Sequence, residues 1–289
     1  MKISAYHKAQ SDDVAWYEPL FDREDTDILY ESKVFTFSPE YLDYPVSGAI
    51  IRGGTGIDVK GKLPPEIESI TKPDYSLYPD CDYSIQFLSR GCIRKCPFCV
   101  VPLKEGVIHQ VRPLDLNPKG KWIMILDNNF FSCSQWRKNI ELIWRKNIEL
   151  IRNWNQPVTF QQGLDLRIMT EEMGKALSTL RIKGSGIYIA WDNYEDKEVV
   201  LKGIEILTKY IKPWKINCYV LVGFRQNYIT NEDLERVMIL RELGVNPFAM
   251  GYINFHDPHY KKSCEIKRFC RWVNMKAAFN SCAWEDYNR

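Results

Sequence analysis

The pattern of hydrophobic and polar residues changes near residue 80. Beyond that point, short apolar runs alternate with longer segments whose apolar residues recur at helical spacing. The pattern predicts strands at residues 83–88, 122–126, 158–161, 187–190, 218–222 and 248–252. It predicts helices at residues 134–153, 170–180, 197–210 and 230–243. Strands that alternate with helices favour parallel βα units, so we predict an α/β fold with a partial (β/α)6, TIM-like barrel. Functional residues are then expected at the carboxyl ends of the strands.

The first 75 residues follow a different pattern. Short β-branched and aromatic runs at 13–17, 28–37 and 49–51 predict strands, and residues 3–9 predict a helix. The segment 53–79 is rich in Pro and Gly, which predicts a linker and surface loop. The sequence therefore predicts two units: a small α/β segment at residues 1–75, and the barrel with a C-terminal helical extension at residues 76–289.

One eight-residue sequence occurs twice in succession. WRKNIELI spans residues 136–143 and again residues 144–151. Eight residues turn a helix about 80° beyond two full turns, so the two copies present their apolar residues on different faces. We interpret the duplication as a lengthened outer helix; the alternative is an apolar ridge that binds a partner.

The composition is that of a globular protein, with 45% hydrophobic and 26% charged residues. The 39 basic and 37 acidic residues leave a net charge of +2, so no overall basic field indicates nucleic-acid binding. The longest apolar runs are far shorter than the roughly 20 residues of a membrane helix, and the N-terminus lacks the apolar core of a secretory signal. We therefore expect a cytoplasmic protein with reduced thiols and no membrane partner.

Three of the nine cysteines lie within eight residues of one another. Cys92, Cys96 and Cys99 form a C-x3-C-x2-C motif just after the first predicted barrel strand. Three thiolates from one loop can hold three irons of a [4Fe-4S] cluster, which leaves the fourth iron open to a small molecule. A zinc site is the alternative, with Cys81 or His109 as the fourth ligand, although the two-pair spacing of zinc fingers is absent.

This motif, with the aromatic Phe98 before its last cysteine, resembles the signature of the radical SAM superfamily. The resemblance covers residues 82–255 and is closest to the branch of cobalamin-binding-type enzymes and methylthiotransferases. It implies that S-adenosylmethionine (SAM) chelates the open iron, and that an electron from the reduced cluster cleaves SAM to a 5′-deoxyadenosyl radical. The radical then abstracts a hydrogen from the substrate. A flavodoxin- or ferredoxin-type electron donor is also implied, while the substrate remains open between a peptide, an RNA and a metabolite.

The resemblance also implies which residues bind SAM. The candidates share a position in the cysteine loop or near the carboxyl ends of the predicted strands. They are Phe98, Asp127, Asn128, Asn129, Gln162, Arg167, Asp192, Asn193, Val222 and Gly223. The backbone around Phe98 and the segment 222–223 would lie beside the adenine, although the terminal Glu of the family's full glycine motif is missing here.

The polar candidates fall into three groups. Residues 127–129 occupy the place where the family binds the SAM amino group. Gln162 and Arg167 are candidates for the SAM carboxylate, since Arg can form a bidentate pair with it. Asp192 and Asn193 would bind the ribose hydroxyls. Each group also has a structural reading, because Asp and Asn after strands commonly form turns and helix caps, and Arg167 can pair with Asp165.

The front segment resembles a truncated form of the Rossmann-like domain of cobalamin-binding relatives. The family's cobalt-ligating D-x-H-x-x-G loop is missing, because His7 stands in Tyr-His-Lys-Ala without the Asp or Gly. The resemblance therefore implies a radical SAM enzyme without cobalamin. The alternatives are a cobalamin-dependent radical SAM methyltransferase and a non-catalytic zinc protein that binds nucleic acid.

The C-terminal region holds two further groups of interest. Its cysteines and histidines match no spacing that indicates an auxiliary metal site; they are Cys264, Cys270, Cys282, His256 and His259. Residues 261–271 contain five basic side chains, interleaved with Phe269 and followed by Trp272. A solvated helix face is favoured for this strip over a surface that contacts RNA or a leader peptide.

Overall fold

The structure is a computed structural model of the 289-residue chain. It describes residues 1–18, 21, 26–36, 38–39, 48–134, 141–254, 257 and 259–287. The first half of the first WRKNIELI copy, at 136–140, and His256 lie outside the described residues.

The first part of the chain is organised around two parallel strands. Its elements are α1 (Lys2–Ala9), β1 (Ile28–Ser32), β2 (Ala49–Gly53) and α2 (Pro65–Glu68). β1 and β2 pair in parallel from Ile28↔Ala49 to Ser32↔Gly53. His7 of α1 joins the helix to this pair, because its ring lies 2.9 Å from the Tyr30 hydroxyl and 2.7 Å from the Asp12 carboxylate. The predicted helix and the strands that begin at 28 and 49 are confirmed, although β1 ends earlier than expected.

The predicted strand at residues 13–17 is wrong. This segment pairs with no strand in the described part of the chain. Trp16 instead docks on the loop ahead of the main sheet, where its Nε1 donates to the Leu77 carbonyl at 2.7 Å and its ring meets Tyr78 edge to face. The apolar residues of this segment therefore reflect the packing of the Trp16 ring and not pairing within a sheet.

The rest of the chain alternates strands with helices. Its strands are β3 (Tyr83–Gln86), β4 (Ser89–Arg90), β5 (His109–Gln110), β6 (Trp122–Ile125), β7 (Val158–Leu164), β8 (Ile182–Ala190), β9 (Ile216–Val222) and β10 (Asn246–Gly251). Its α-helices are α3 (Val101–Lys104), α4 (Glu141–Trp154), α5 (Glu171–Ser178), α6 (Lys197–Thr208), α7 (Asn231–Glu242), α8 (Cys264–Asn274) and α9 (Lys276–Ser281). All six strands predicted for the barrel are present within a few residues of their expected bounds.

Six of these strands form one parallel sheet in the order β10-β9-β8-β7-β6-β3. Consecutive strands along the chain are therefore neighbours in space, as expected for successive right-handed βα units. The α/β fold with a parallel sheet is confirmed. Because all six strands run the same way, the loops that follow them meet at one edge of the sheet.

The two faces of the sheet differ in burial. Along β9, Ile216, Cys218, Val220 and Val222 are buried, whereas the residues between them are only half-buried. The buried face packs in the hydrophobic core with the outer helices, including Trp144, Ile148 and Ile151 of α4. We call the other side the open face; it carries Tyr83, Trp122, Met124, Lys183, Tyr188, Tyr219, Phe248 and Met250.

The described part of the WRKNIELI duplication belongs to the core. Trp144 is 3% exposed and Ile148 5% exposed, and both come from the second copy. The second copy thus supplies the face of α4 that covers the sheet. The alternative of a partner-binding ridge depends on the first copy and stays a prediction.

Strand β10 is at the edge of the sheet, and α8 covers its free backbone groups. The Asn274 Oδ1 accepts the Ala249 N–H at 2.8 Å, and its Nδ2 donates to the Ala249 carbonyl at 3.0 Å. This side chain occupies the positions that another strand would take, which blocks edge-to-edge pairing.

Replacing Asn274 with alanine should lower the free energy of unfolding by about 1–3 kcal/mol, because two backbone groups of the buried Ala249 lose their partners. Urea denaturation of the apoprotein measures this change. Asn280→Ala, at an exposed position of α9, serves as the control and should stay within about 0.5 kcal/mol of the wild type. Equal stability of the two variants would contradict the role given to Asn274.

Among the helices described, none combines the length and the apolar character that a membrane crossing needs.

Candidate functional site

The three motif cysteines lie in the loop that leaves the sheet at the carboxyl end of β3. We call residues 91–100 the cysteine loop. Its base is closed by antiparallel pairing of β4 with β5. Gly91 has φ +78°, and a Cβ there would lie 2.5 Å from the Val107 carbonyl oxygen. Only glycine fits this approach. The tight turn lets the Cys92 N–H donate to the Gly106 carbonyl at 3.3 Å.

The thiols of the loop face hydrogen-bond donors. The Cys92 Sγ accepts from the Arg94 N–H at 3.3 Å and from the Asn129 Nδ2 at 3.7 Å. Burial raises the pKa of the Cys96 thiol, and Arg167 opposes this rise through its charge and a hydrogen bond. Burial also raises the pKa of Cys99, opposed by a backbone hydrogen bond from Val101. Each cysteine of the motif therefore has a donor that would stabilise its thiolate.

Asp165, just after β7, ties the cysteine loop to the sheet. Its carboxylate accepts from the Arg94 Nε at 2.8 Å, from the Arg167 Nε at 2.8 Å and from the Asn129 Nδ2 at 3.3 Å. Burial alone would raise the pKa of Asp165, but the hydrogen bonds from Arg167 and Arg94 outweigh it, and the pKa is lowered. Asp165 is thus a charged, buried carboxylate between two guanidinium groups.

Asp127, at the carboxyl end of β6, fastens the start of the same loop. It accepts from the Leu88 N–H at 2.7 Å and from the Ser89 hydroxyl at 2.6 Å. Burial raises its pKa to about 6, although both hydrogen bonds act in the opposite direction. Its neighbour Asn128 donates to Glu105 at 2.5 Å, and Glu105 also accepts the Gly91 N–H at 2.9 Å.

The pKa of Asp127 makes stability depend on pH. The folded state holds a proton on this carboxyl up to about pH 6, whereas the unfolded state releases it near pH 4, so the folded state is weakened as pH rises between these values. We expect Asp127→Asn, which carries no charge, to gain about 1–3 kcal/mol relative to the wild type from pH 4 to pH 7. Denaturation of both apoproteins across this range measures the difference. A difference that does not change with pH would contradict the burial of a charged Asp127.

A third group of polar residues lies where β8 and β9 end. A pocket of about 60 Å³ there is lined by Asp192, Asn193, Gly223 and Phe224, among others. Burial raises the pKa of Asp192 to about 6, with Arg236 and Arg167 acting against it. The Phe98 ring meets Phe224 edge to face at 5.4 Å, which brings the cysteine loop against the end of β9.

Arg236 of α7 holds the ends of β8 and β9 together, and the sequence did not single it out. Its guanidinium donates to the carbonyls of Trp191 at 2.7 Å, Asp192 at 2.8 Å and Leu221 at 2.9 Å. It also pairs with Asp233 at 2.5 Å. The sequence did contain a signal for this residue. Arg236 lies three residues after Asp233, on the face of α7 that carries the buried Val237 and Leu240.

The structure brings some of the candidate residues together and separates others. Asn129, Arg167 and Asp192 all act on the cysteines, by hydrogen bond or by charge. Gln162 is exposed, in a stretch of β7 where the register with β8 shifts. The Val222 side chain is buried in the core, so only its backbone faces the strand ends.

A zinc ion and an iron–sulfur cluster both need several ligating side chains that lie close together. Among the described residues, no three His, Cys, Asp or Glu side chains converge on a point that could hold an ion. Of the proposed zinc ligands, Cys81 donates to the Tyr83 carbonyl and the ring of His109 faces the Val107 carbonyl.

The C-terminal cysteines are also spread out. Cys264 is exposed, while Cys270 and Cys282 are half-buried. Burial raises the pKa of the Cys270 thiol. No protein-family model matches this chain, and no curated protein is significantly similar to it.

Proposed function

We propose that this chain is a radical SAM enzyme in which Cys92, Cys96 and Cys99 hold a [4Fe-4S] cluster. The observation that carries the proposal is the C-x3-C-x2-C loop, fixed at the carboxyl end of the first strand of a six-stranded parallel sheet. When bound, the cluster and SAM supply a 5′-deoxyadenosyl radical that abstracts a hydrogen from the substrate. The chain's own residues bind, orient and shield these groups.

The donor set fits an iron–sulfur cluster. Three thiols of one loop are soft ligands, and hydrogen bonds to their sulfurs tune the charge that a cluster places on them. The donors that face the sulfurs of Cys92 and Cys99 include the backbone N–H groups of Arg94 and Val101. Since the loop supplies three thiolates, one iron stays open for a small molecule.

The surroundings of the loop fit an amino-acid cofactor. The Asn129 Oδ1 is buried without a hydrogen-bond partner in the described chain, while its Nδ2 faces Cys92. A buried free acceptor needs a donor, and an ammonium group supplies one. Arg167 is already bonded to Asp165, Asp196 and the Cys96 thiol, so a carboxylate would have to compete with these partners.

The other end of the cofactor has a place as well. Phe98 and Phe224 form an apolar wall beside the end of β9, which suits a flat base such as adenine. Asp192 and Asn193 line the adjacent pocket, where a carboxylate and an amide can bind hydroxyl groups. Gly223 has φ +77°, and a Cβ there would point at the Ile266 side chain of α8.

The fold is consistent with the same proposal. A parallel sheet whose strands lie in chain order is compatible with the proposed partial (β/α)6 barrel. We interpret the first 75 residues, with their parallel pair of β1 and β2, as a Rossmann-like segment. Cytoplasmic location and a flavodoxin- or ferredoxin-type electron donor are part of this proposal.

Anaerobic reconstitution tests the function. With iron and sulfide, we expect a brown protein with about four irons per chain. With SAM and dithionite, it should form 5′-deoxyadenosine. A colourless protein that binds zinc would favour the zinc alternative, and stoichiometric cobalt after expression with cobalamin would favour the methyltransferase. A brown protein that leaves SAM intact would overturn the catalytic proposal.

A further inference from the structure

The open face of the sheet has an unusual charge. None of the strands β3 and β6–β10 contains an Asp or a Glu, and their only charged residue is Lys183. Lys183 is exposed on the open face, where its Nζ lies 3.8 Å from the centre of the Trp122 ring. The strands themselves therefore contribute only positive charge to the face. At its edge, just before β3, the Asp82 carboxylate accepts from the Trp122 Nε1 at 3.0 Å.

The same face carries flat aromatic rings in two groups. Tyr83 and Trp122 lie 4.7 Å apart with an angle of 32° between their planes. Tyr188 and Tyr219 lie 5.2 Å apart and are stacked at 28°. Phe248, at the edge strand, is 44% exposed. Half-exposed rings of this kind are surfaces on which unpaired bases stack.

Further basic residues surround the amino-terminal end of the sheet. Lys121 directly precedes β6, and Lys215 directly precedes β9. Lys215 lies over the ring of Trp214, which is 54% exposed, and its Nζ reaches the Ile182 carbonyl at the start of β8. The contact with Ile182 places Lys215 beside Lys183 at this end of the open face.

We propose that the open face binds single-stranded nucleic acid. The rings would stack on bases, and Lys183 with the surrounding lysines would contact phosphates. An apolar peptide would use the rings but not the lysines, so the charge of the face favours the polyanion. Binding does not need the cluster; only the further statement that a bound nucleotide is the enzyme's substrate rests on the proposed function.

The second basic region of the chain is the rival surface. The residues of α8 include the exposed Lys267 and Arg271. Arg268 in the same helix is stacked over Trp284 at 4.3 Å, and the large rings of α8, Phe269 and Trp272, are buried. This surface thus offers charge without free rings, which gives weak binding without preference for single strands.

Fluorescence anisotropy of the apoprotein tests the proposal. The probes are fluorescein-labelled single-stranded RNA and DNA of about 12 nucleotides and the matching RNA duplex, at low salt. We expect both single strands to bind more tightly than the duplex, whose bases are already paired. Lys183→Glu should weaken single-strand binding by about 10-fold, while Lys267→Glu, the same charge change on α8, should change it by less than about 2-fold.

The aromatic contribution has its own matched pair. Tyr188→Leu removes a stacking ring and should weaken single-strand binding by about 10-fold, whereas Tyr188→Phe keeps the ring and should stay within about 2-fold. Circular dichroism checks that the leucine variant folds. If Tyr188→Leu does not fold, Lys183→Glu still tests the proposal, because Lys183 is exposed.

Three results would overturn the proposal. They are no binding of either single strand at low salt, equal binding by wild type and Lys183→Glu, and loss of binding by Lys267→Glu alone. If an uncharged apolar peptide displaces the single strand, and Lys183→Glu does not change the binding of that strand, the face would be assigned to a peptide. A failed reconstitution with intact nucleic-acid binding would remove the proposed enzyme function but leave this surface.

Discussion

Replacing Cys92, Cys96 or Cys99 singly with alanine is expected to abolish 5′-deoxyadenosine formation, with a loss of at least about 100-fold. Changes to residues behind metal ligands already cost about 10–100-fold, and these three are the ligands themselves. Iron content after reconstitution and chromatography of the nucleoside product measure the effect. The apoproteins should remain folded, because the three side chains are only half-buried and lie in a surface loop.

The chain offers a matched control for this prediction. Cys264 is an exposed cysteine at the first position of α8, remote in sequence from the cysteine loop. Cys264→Ala should keep the iron content and the activity of the wild type. Full iron content in Cys99→Ala, or equal losses in Cys264→Ala and Cys99→Ala, would show that the cluster is not held as proposed.

Asp165→Ala is expected to have the largest effect on stability, a loss of about 3 kcal/mol in the apoprotein. The carboxylate is 8% exposed and neutralises Arg94 and Arg167, and its removal leaves two partly buried guanidinium groups without their shared partner. Arg94 stands between Cys92 and Cys96, so the variant should also take up less iron. Urea denaturation and iron analysis measure the two effects.

The control for Asp165 is the other carboxylate of Arg167. Asp196 contacts the Arg167 Nη1 at 3.2 Å, and both side chains are more exposed than that of Asp165. Asp196→Ala should therefore cost less than about 1 kcal/mol and leave iron uptake unchanged. A stability of Asp165→Ala within about 0.5 kcal/mol of the wild type would mean that the network of Asp165 does not hold the loop.

These expectations share one structural cause. The cysteine loop has little regular structure of its own, and side chains from the ends of neighbouring strands hold it in place. Asp127 binds its start through Leu88 and Ser89, and Asp165 binds its middle through Arg94. The loop is therefore fixed by tertiary contacts at the point where the proposed cluster needs its three thiolates.

Much of the parallel sheet and its helices could be predicted because their signals are local. The capping box at the start of α7 is formed by Thr230 and Asp233, residues three apart in sequence. Gly244, with φ +70°, follows the end of the same helix. The apolar runs of the six strands are bounded by turn residues, so their positions were predicted within a few residues. Local signals failed at residues 13–17, because a strand also needs a partner that sequence alternation cannot supply.

The parts of the site that could not be predicted depend on contacts between distant residues. Arg94 and Asp165 are 71 residues apart in the chain, yet their side chains form one ion pair. The position of Arg236 on the buried face of α7 was readable, but its partners at two strand ends are backbone carbonyls, whose identity carries no sequence signal. Asn274 covers the edge of β10 in the same way.

By itself, the sequence determined the order of strands and helices, the three-cysteine motif and a net charge of +2. Those properties depend on residues near one another in the chain or on simple counts. Only the tertiary structure decided that Asp165 joins the cysteine loop to β7 and that Lys183 lies beside Trp122 on the open face. A parallel sheet brings strand ends and strand faces from distant segments together, so the local charge of a surface is independent of the charge of the whole chain.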